Sequence, residues 1–313
     1  MNRAGIVIAL GGNALAPDGE VDSIDRQFAH TRTSLGAVVG LARAGWRVAI
    51  VHGNGPQVGN ALIRNELARD KVAPLPLGVL VAATEGWIGY MIQQSLENAL
   101  RAESVDRRVV TLVTQVRVAE DDPTLLEPTK PIGRTMSEET ARSLAAELGW
   151  SVAEGPRGWR RVVASPMPLE IIEREMIRSL VDEGHLVIAA GGGGTPVYRT
   201  AEGDLEGVDA VIDKDRAAAI LGLDIGAEVL LILTDVDAVY ADYGTDRQRA
   251  LTRLTVAEAE ELAGSGQLGA GSMLPKVEAA IRFVREGGER AVIAPLEQGR
   301  AAVDGEAGTT IVA

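Results

Sequence analysis

An α/β fold built on a mainly parallel, doubly wound sheet is what this sequence predicts, on three observations. Short β-branched runs that are apolar on both faces recur through its 313 residues, longer amphipathic stretches alternate with them, and glycine clusters sit where several of the runs end. Strands apolar on both faces belong to sheets covered by helices on both sides. In such sheets ligands bind beyond the carboxyl ends of the strands. With 46% hydrophobic residues the chain has ample material for a buried core.

The first run, IVIAL at 6–10, leads through a glycine pair to a helical stretch near 24–44. RVAIV (47–51) follows, then helices near 55–69, where Pro56 stands in the first turn, and near 78–103. VVTLV (109–113) is the next strand. The stretch of about 120–168 breaks the rhythm with acidic turns, a TKPIGR segment, a short helix at 137–148 and GPRGWRRVV running into SPMP. It reads as an inserted subdomain. A helix near 169–183 and the strand HLVIAA (185–190) restore the alternation. A helix at 213–221, EVLLILT (228–234), helices at 255–264 and 272–286, and the strands RAVIAP (290–295) and TTIVA (309–313) complete it. The halves before and after the insertion read as two lobes around a cleft.

Composition narrows the function. A net charge of −13 disfavours non-specific binding to nucleic acid or to an anionic membrane, since both need a basic face. Cysteine is absent, which removes disulfides and thiolate chemistry and suits the cytoplasm. The N-terminal apolar stretch is too short for a signal peptide and no run reaches spanning length. The three histidines, His30, His52 and His185, form no ligand pair at helical spacing, so no dedicated transition-metal site is expected.

The 36 glycines cluster as GGN, HGNG, GGGG and GAGS. Gly11-Gly12-Asn13 follows the first strand, where bare backbone N–H groups can cradle an anion. A tight strand-to-helix turn explains it equally. His52-Gly53-Asn54-Gly55 ends the second strand and can line the same crevice, with His52 either a base or a hydrogen-bonded structural residue. Gly191 to Gly194 cost so much backbone entropy that close approach to a ligand is the expected reason for them. Neither GxGxxG nor GxxxxGK[ST] occurs, which disfavours the common nucleotide-binding folds.

Lysine is rare, with four residues against 27 arginines, and three of the four stand in Pro-, Gly- or Asp-flanked segments. Compositional bias is the plain alternative, but lysine is a compact point charge suited to a moving phosphoryl group, whereas the arginine fork prefers a fixed partner. Lys214 lies in VIDKDR, where Asp213 can cap a helix and Asp215 can hold the lysine. Lys276 would fall in a helix's first turn, against the dipole, which favours a nearby anion. Lys130 comes from the insertion, and Lys71 reads as ordinary surface. Thr234, Asp235 and Asp237, with Tyr240 and Tyr243, end a strand where a nucleotide can be met, although turn chemistry accounts for the aspartates too.

Taken in order, ALGGNAL, HGNGPQVGN, TKPIG, GWRRVV, SPMP, GGGGTPV, GVDAVIDKD, LTDVDAVY and GSMLPKVEAAI resemble the carbamate kinases, a branch of the amino acid kinase family, essentially end to end. The resemblance implies one domain, 1–313, forming an open αβα sandwich. Its N-terminal lobe (1–185) would hold carbamate or carbamoyl phosphate and its C-terminal lobe (186–313) ATP or ADP, with the insertion of about 120–168 as a protruding lid. It further implies a cytoplasmic homodimer of arginine metabolism, with Mg2+ carried in by the nucleotide. On this reading Gly11, Gly12, Asn13, Gly53, Asn54 and Gly55 surround the small substrate and the transferred phosphoryl. Lys130 and Lys214 neutralise charge growing on that group, and Asp215 orients the lysines. Lys276 holds the nucleotide phosphates, and Gly192, Gly193, Thr234, Asp235, Val236, Tyr240 and Met273 complete the nucleotide side. Ala9-Leu10 stands where many relatives in the superfamily have a lysine before the glycine pair, so Lys130 is the available substitute. Val118 to Pro123, Ala164 and Met167 depart from the usual pattern, all in the insertion. The alternatives are a related kinase acting on a larger carboxylate or a phosphate, and a nucleotide-binding sensor without catalysis.

Overall fold

All seven apolar runs predicted as strands fall in one eight-stranded sheet of the computed structural model, which describes residues 4–12, 15, 23–155, 158–268 and 273–313. Across the sheet the order is Arg253–Thr255, Thr309–Val312, Arg290–Pro295, Val229–Thr234, Gly5–Leu10, Arg47–His52, Leu186–Ile188 and Val109–Thr111. Neighbours run parallel, except that Thr309–Val312 is antiparallel to Arg290–Pro295. The first strand is central, with the second on one side and Val229–Thr234 on the other. The winding therefore reverses next to Leu10, which pairs with His52 and Leu233.

Continuous apolar runs split by alternation into two cores. Val7 and Ala9 join Ala49, Val51, Leu230 and Ile232 under the helices Arg174–Asp182, Lys214–Asp224 and Met273–Arg285. Ile6, Ile8 and Leu10 join Val48, Ile50, Leu231 and Leu233 under Gly36–Arg43, Leu77–Ala102 and Gly299–Val303. Each fully buried Ile or Leu contributes on the order of 2 kcal/mol of transfer free energy, so the sheet is a firm platform for the turns at its carboxyl edge.

Some elements differ from expectation. The stretch 24–44 is two helices, Ile24–Ser34 and Gly36–Arg43, and a short helix at Gly299–Val303 was not foreseen. The helix expected from 169 begins only at Arg174, because Glu170–Ile171 is a strand of a second sheet with Gln115–Arg117, Thr195–Arg199 and Leu205–Gly207. Glu170 is held there by Arg117 Nε at 2.8 Å and Arg174 Nη1 at 2.5 Å.

Lys130–Met136, Gly158–Val163 and Val152–Gly155 form a separate antiparallel sheet, joined to the helix Glu138–Leu148. Ser137 caps that helix through the Thr140 amide, and Gly149 ends it with φ 67°. This sheet rests on the helix Gly55–Leu67 where two glycines meet: a Cβ on Gly59 would lie 2.1 Å from Gly133 Cα. Ile132 and Val163 seal the contact against Val58, Leu62 and Val81. Among the described residues no helix is long and apolar enough to cross a membrane.

Candidate active site

The carboxyl edge of the central sheet carries the glycine turns one residue beyond the strands. Gly11 donates its amide to Leu233 O at 3.2 Å and Gly53 to Leu10 O at 3.2 Å, continuing the ladder. The two turns then touch, the Cβ position of Gly53 lying 3.4 Å from Gly12 N and 3.3 Å from Lys214 Cδ. Among the described residues no atom lies within 4 Å of the Cβ positions of Gly12 and Gly55. Beside them opens a cleft of about 230 Å³, walled by Gly12, Gly53, Asn54, Gly55 and Pro56, by Gly192 and Ile212, by Asp213 to Asp215, and by Lys130, Pro275 and Lys276.

Three lysines from three segments meet there on two aspartates. Lys130 Nζ donates to Asp213 Oδ2 at 3.0 Å, Lys214 Nζ to Asp215 Oδ1 at 2.5 Å, and Lys276 Nζ to Asp215 Oδ2 at 3.0 Å. The second oxygen of Asp213 caps the helix Lys214–Asp224, accepting from the amides of Asp215 at 2.9 Å and Arg216 at 3.3 Å. Burial alone would push Asp213 up, but the charges of Lys130, Lys214 and Lys276 hold it well below the usual carboxylate range. Burial pulls Lys214 down, Lys276 beside it adds to the shift, and Asp215 and Asp213 oppose it. For Lys276 burial is outweighed by Asp215, Asp213 and Asp235, so its ammonium is held more firmly than usual.

The far wall is the turn after Leu186–Ile188. Ala190 adopts φ 49°, unusual for a residue with a Cβ, and Gly192, Gly193 and Gly194 have φ 66°, 97° and 83°. Ligand approach is the expected reason for these glycines, and the structure adds a second: the chain itself fills the space their Cβ atoms would take. A Cβ would come within 2.3 Å of His52 Nε2 at Gly191, 2.2 Å of Asn54 Nδ2 at Gly192, 2.4 Å of Ile212 O at Gly193 and 2.2 Å of Val116 Cγ2 at Gly194. Of the four, Gly192 also lines the cleft. His52 is fully buried, its Nδ1 lying 3.0 Å from Gly53 O. Burial lowers its pKa from 6.5 to about 4, with partial offset from the Gly53 and Glu85 carbonyls. It is a packing residue beneath the turn.

The predicted residues divide accordingly. Gly12, Gly53, Asn54, Gly55, Lys130, Gly192, Lys214, Asp215 and Lys276 share the cleft, and Gly11 lies directly beneath Gly12. Gly193 is packed behind it. Thr234 ends the neighbouring strand, Asp235, Val236 and Tyr240 come after it, and none of the four lines the cleft; Thr234 Oγ1 donates to Asp235 Oδ1 at 3.1 Å, and Tyr240 Oη to Asp237 at 2.8 Å. Met273 opens the helix that carries Lys276. Asn13 and Gly269 to Ser272 lie outside the described residues. Lys71 is exposed, as expected of ordinary surface.

Sequence reasoning gave Asp213 only a capping role, and it missed its pairing with Lys130 across 83 positions. It also missed Thr84 and Glu85, buried polar residues on the helix Leu77–Ala102. Their one signal was a carboxylate inside the apolar stretch LGVLVAATEGWIGYMI.

Chemically, three ammonium groups against two carboxylates leave a buried positive charge beside a helix N-terminus, an arrangement that binds an anion and stabilises charge developing on it. Asp213 and Asp215 are engaged at every oxygen, and among the described residues no group of three or more His, Cys, Asp or Glu is placed to hold a metal ion.

Residues 5–295 match the model of the amino acid kinase family. The carbamate kinase of Pyrococcus horikoshii is 45% identical over 309 residues, covering 98% of each chain, and that of Halobacterium salinarum 46% identical over 311, covering 98% of this chain and 97% of its own. Among solved structures, the carbamate kinase of Giardia lamblia bound to citric acid superposes with a TM-score of 0.94 at 38% identity, covering 99% of this chain and 98% of that one. The same Giardia protein bound to AMP-PNP gives 0.90 at 38% identity and the same coverage.

Proposed function

The chain belongs to the amino acid kinase family, and from that premise we propose that it catalyses the carbamate kinase reaction, reversible phosphoryl transfer between ATP and carbamate giving ADP and carbamoyl phosphate. The observation that carries the reading is the convergence of Lys130, Lys214 and Lys276 on Asp213 and Asp215 beneath the Gly12 and Gly53 turns. Phosphoryl transfer asks little covalent chemistry of a protein and a great deal of positioning and charge neutralisation.

In this mechanism Gly12, Gly53, Asn54 and Gly55 present backbone to the acceptor and the transferred group, helped by the N-terminal end of the helix Gly55–Leu67. Gly11 supports that turn, and Asn13 belongs to the same substrate loop. Lys214 and Lys130 follow the phosphoryl oxygens, Lys276 stays with the nucleotide phosphates, and Asp215 spaces Lys214 from Lys276. Burial weakens solvent screening, so each of these charges acts more strongly than on the surface. Gly192, Gly193, Thr234, Asp235, Val236, Tyr240 and Met273 form the nucleotide side. Mg2+ carried with the nucleotide would supply further charge neutralisation there, and because Asp213 and Asp215 are engaged by their lysines it would be held by the nucleotide rather than by these carboxylates.

The cleft is small, about 230 Å³, and no arginine lines it among the described residues. That supports carbamate over a longer carboxylate needing a guanidinium anchor. The same reading makes the protein a cytoplasmic homodimer of arginine metabolism, and sedimentation of the purified chain tests the dimer.

A coupled assay of ATP formation from carbamoyl phosphate and ADP tests the reaction. Absent turnover, with phosphorylation of acetylglutamate-like acids, would move the chain to the related kinases; nucleotide binding with no turnover on any acceptor would make it a sensor. Lys214→Arg should lower kcat by about 100-fold, the roughly 3 kcal/mol typical of one lost transition-state contact. Near-wild-type turnover would remove Lys214 from the chemistry.

A further inference from the structure

The turn that walls the cleft opposite the lysines is held by a carboxyl group that the proposed mechanism does not use. Glu85 is 1% exposed, on the helix Leu77–Ala102. Its Oε1 accepts from the backbone amides of Gly191 and Thr114, each at 3.0 Å, and its Oε2 accepts from Thr195 Oγ1 at 3.3 Å. Thr114 completes the clamp: its hydroxyl accepts from Ala190 N at 3.0 Å and its carbonyl from Thr195 N at 2.8 Å. Both ends of the Ala190 to Thr195 turn are thereby tied to the same two residues. A positive φ at Ala190 is a conformation that persists only where the surroundings over-determine it.

The turn reaches the cleft through Gly192, packed on the Asn54 side chain. Asn54 Nδ2 in turn donates to Thr84 Oγ1 at 3.0 Å, and Thr84 adjoins Glu85 in sequence. Two consecutive residues of one helix thus fix the two backbone segments that meet across the cleft wall.

We propose that Glu85 is a positioning residue for the phosphoryl transfer, acting through the Ala190 to Thr195 turn to set Gly192 and Asn54 against the reacting group. The inference rests on the carbamate kinase reading for its kinetic consequence, but not for its structural one. Burial pushes the Glu85 carboxyl well above its usual range, against the pull of its hydrogen bonds to Thr114, Gly191 and Thr195. Glutamine keeps one oxygen to take the two N–H groups and turns its amide nitrogen toward the Thr195 hydroxyl, which can accept as well as donate. Glutamine therefore reproduces the clamp, and leucine fills the space without it.

The test compares Glu85→Gln with Glu85→Leu. Glu85→Gln keeps kcat within about threefold of wild type, while Glu85→Leu loses about 100-fold in kcat, the size of effect expected when reacting groups are misplaced by an ångström. Leucine at wild-type kcat, or glutamine as impaired as leucine, overturns the proposal. Hydrogen exchange at the Gly191 and Thr114 amides gives a readout free of the assigned reaction. Protection lost in Glu85→Leu and kept in Glu85→Gln supports the clamp even if carbamoyl phosphate proves not to be the substrate, and unchanged protection in Glu85→Leu overturns it. Should Glu85→Leu fail to fold, Thr195→Val carries the test: a kcat about tenfold lower, one hydrogen bond's worth, supports the proposal, and wild-type kcat overturns it.

Discussion

Two glycine-rich regions border the same cleft for opposite reasons. At Gly12 and Gly55 no atom of the described residues lies within 4 Å of the place of a side chain, and backbone is bared toward the cavity. At Gly191 to Gly194 the place is taken by His52, Asn54, Ile212 and Val116, so the missing side chains let the chain pack on itself. Both regions end central strands and look alike in sequence. The contrast separates glycines that leave space open at the cleft from glycines that let the chain pack behind it.

The largest effect should come from forcing a methyl group into the filled turn. In Gly193→Ala the new Cβ would stand 2.4 Å from Ile212 O, at φ 97°. Backbone in that region costs an L-residue about 1–2 kcal/mol, and overpacking adds about 1–3. Gly193→Ala should therefore lose about 4 kcal/mol of stability, read from the denaturant midpoint at unchanged m-value. A loss below about 1 kcal/mol would mean that the turn has room, and the contrast between the regions would collapse.

The reach of sequence reasoning follows similar lines. Seven of the eight central strands were legible because burial on both faces leaves a continuous apolar signature, as in IVIAL and EVLLILT. The eighth, Arg253–Thr255, is a three-residue edge strand with exposed Arg253 and Thr255, and carries no such mark. Nor do the pairings among Gln115–Arg117, Thr195–Arg199 and Glu170–Ile171, which join short segments far apart in the chain. In the site, the rarity of lysine singled out Lys130, Lys214 and Lys276. That Lys130 meets Asp213 was illegible, because it depends on the contact of Gly59 with Gly133, which places the strand bearing Lys130. Glycine clusters revealed where backbone comes close to something, but not whether that something is ligand or protein.

A second prediction sharpens the contrast through pH. His52, which fills the space beside Gly191, has its pKa lowered by burial from 6.5 to about 4. Between these values the unfolded chain binds a proton that the folded chain refuses, so this contribution is present above pH 6.5 and lost as pH falls toward about 4. It amounts to about 3 kcal/mol. Glu85 shifts upward and works in the opposite sense, its contribution fading as pH rises through its folded-state value. Comparing His52→Gln with wild type at each pH cancels the Glu85 term. The stability difference between the two proteins should narrow by about 3 kcal/mol from pH 7 to pH 4. A constant difference would show that His52 protonates freely and that the turn is looser than its packing indicates.

The smallest effect on stability, and the most telling for function, belongs to Gly12→Ala. The residue has no positive φ and, among the described residues, nothing near its Cβ position, so alanine avoids backbone strain and meets none of those neighbours. Stability should stay within about 0.5 kcal/mol of wild type, as for a change away from packed features. Gly12 nevertheless lines the cavity with Gly53 and Lys214, where the proposed mechanism seats the acceptor and the transferred group, so a methyl added there alters the wall they meet. Turnover from carbamoyl phosphate and ADP should then fall by tenfold or more, roughly 1.4 kcal/mol in kcat/KM, in a protein that unfolds like wild type. Activity lost without stability is the signature of a glycine kept for a ligand, as stability lost at Gly193 is that of a glycine kept for the fold. If Gly12→Ala leaves turnover unchanged, the open space beside it is not where the reacting group lies, and the substrate must be sought deeper, toward Lys276.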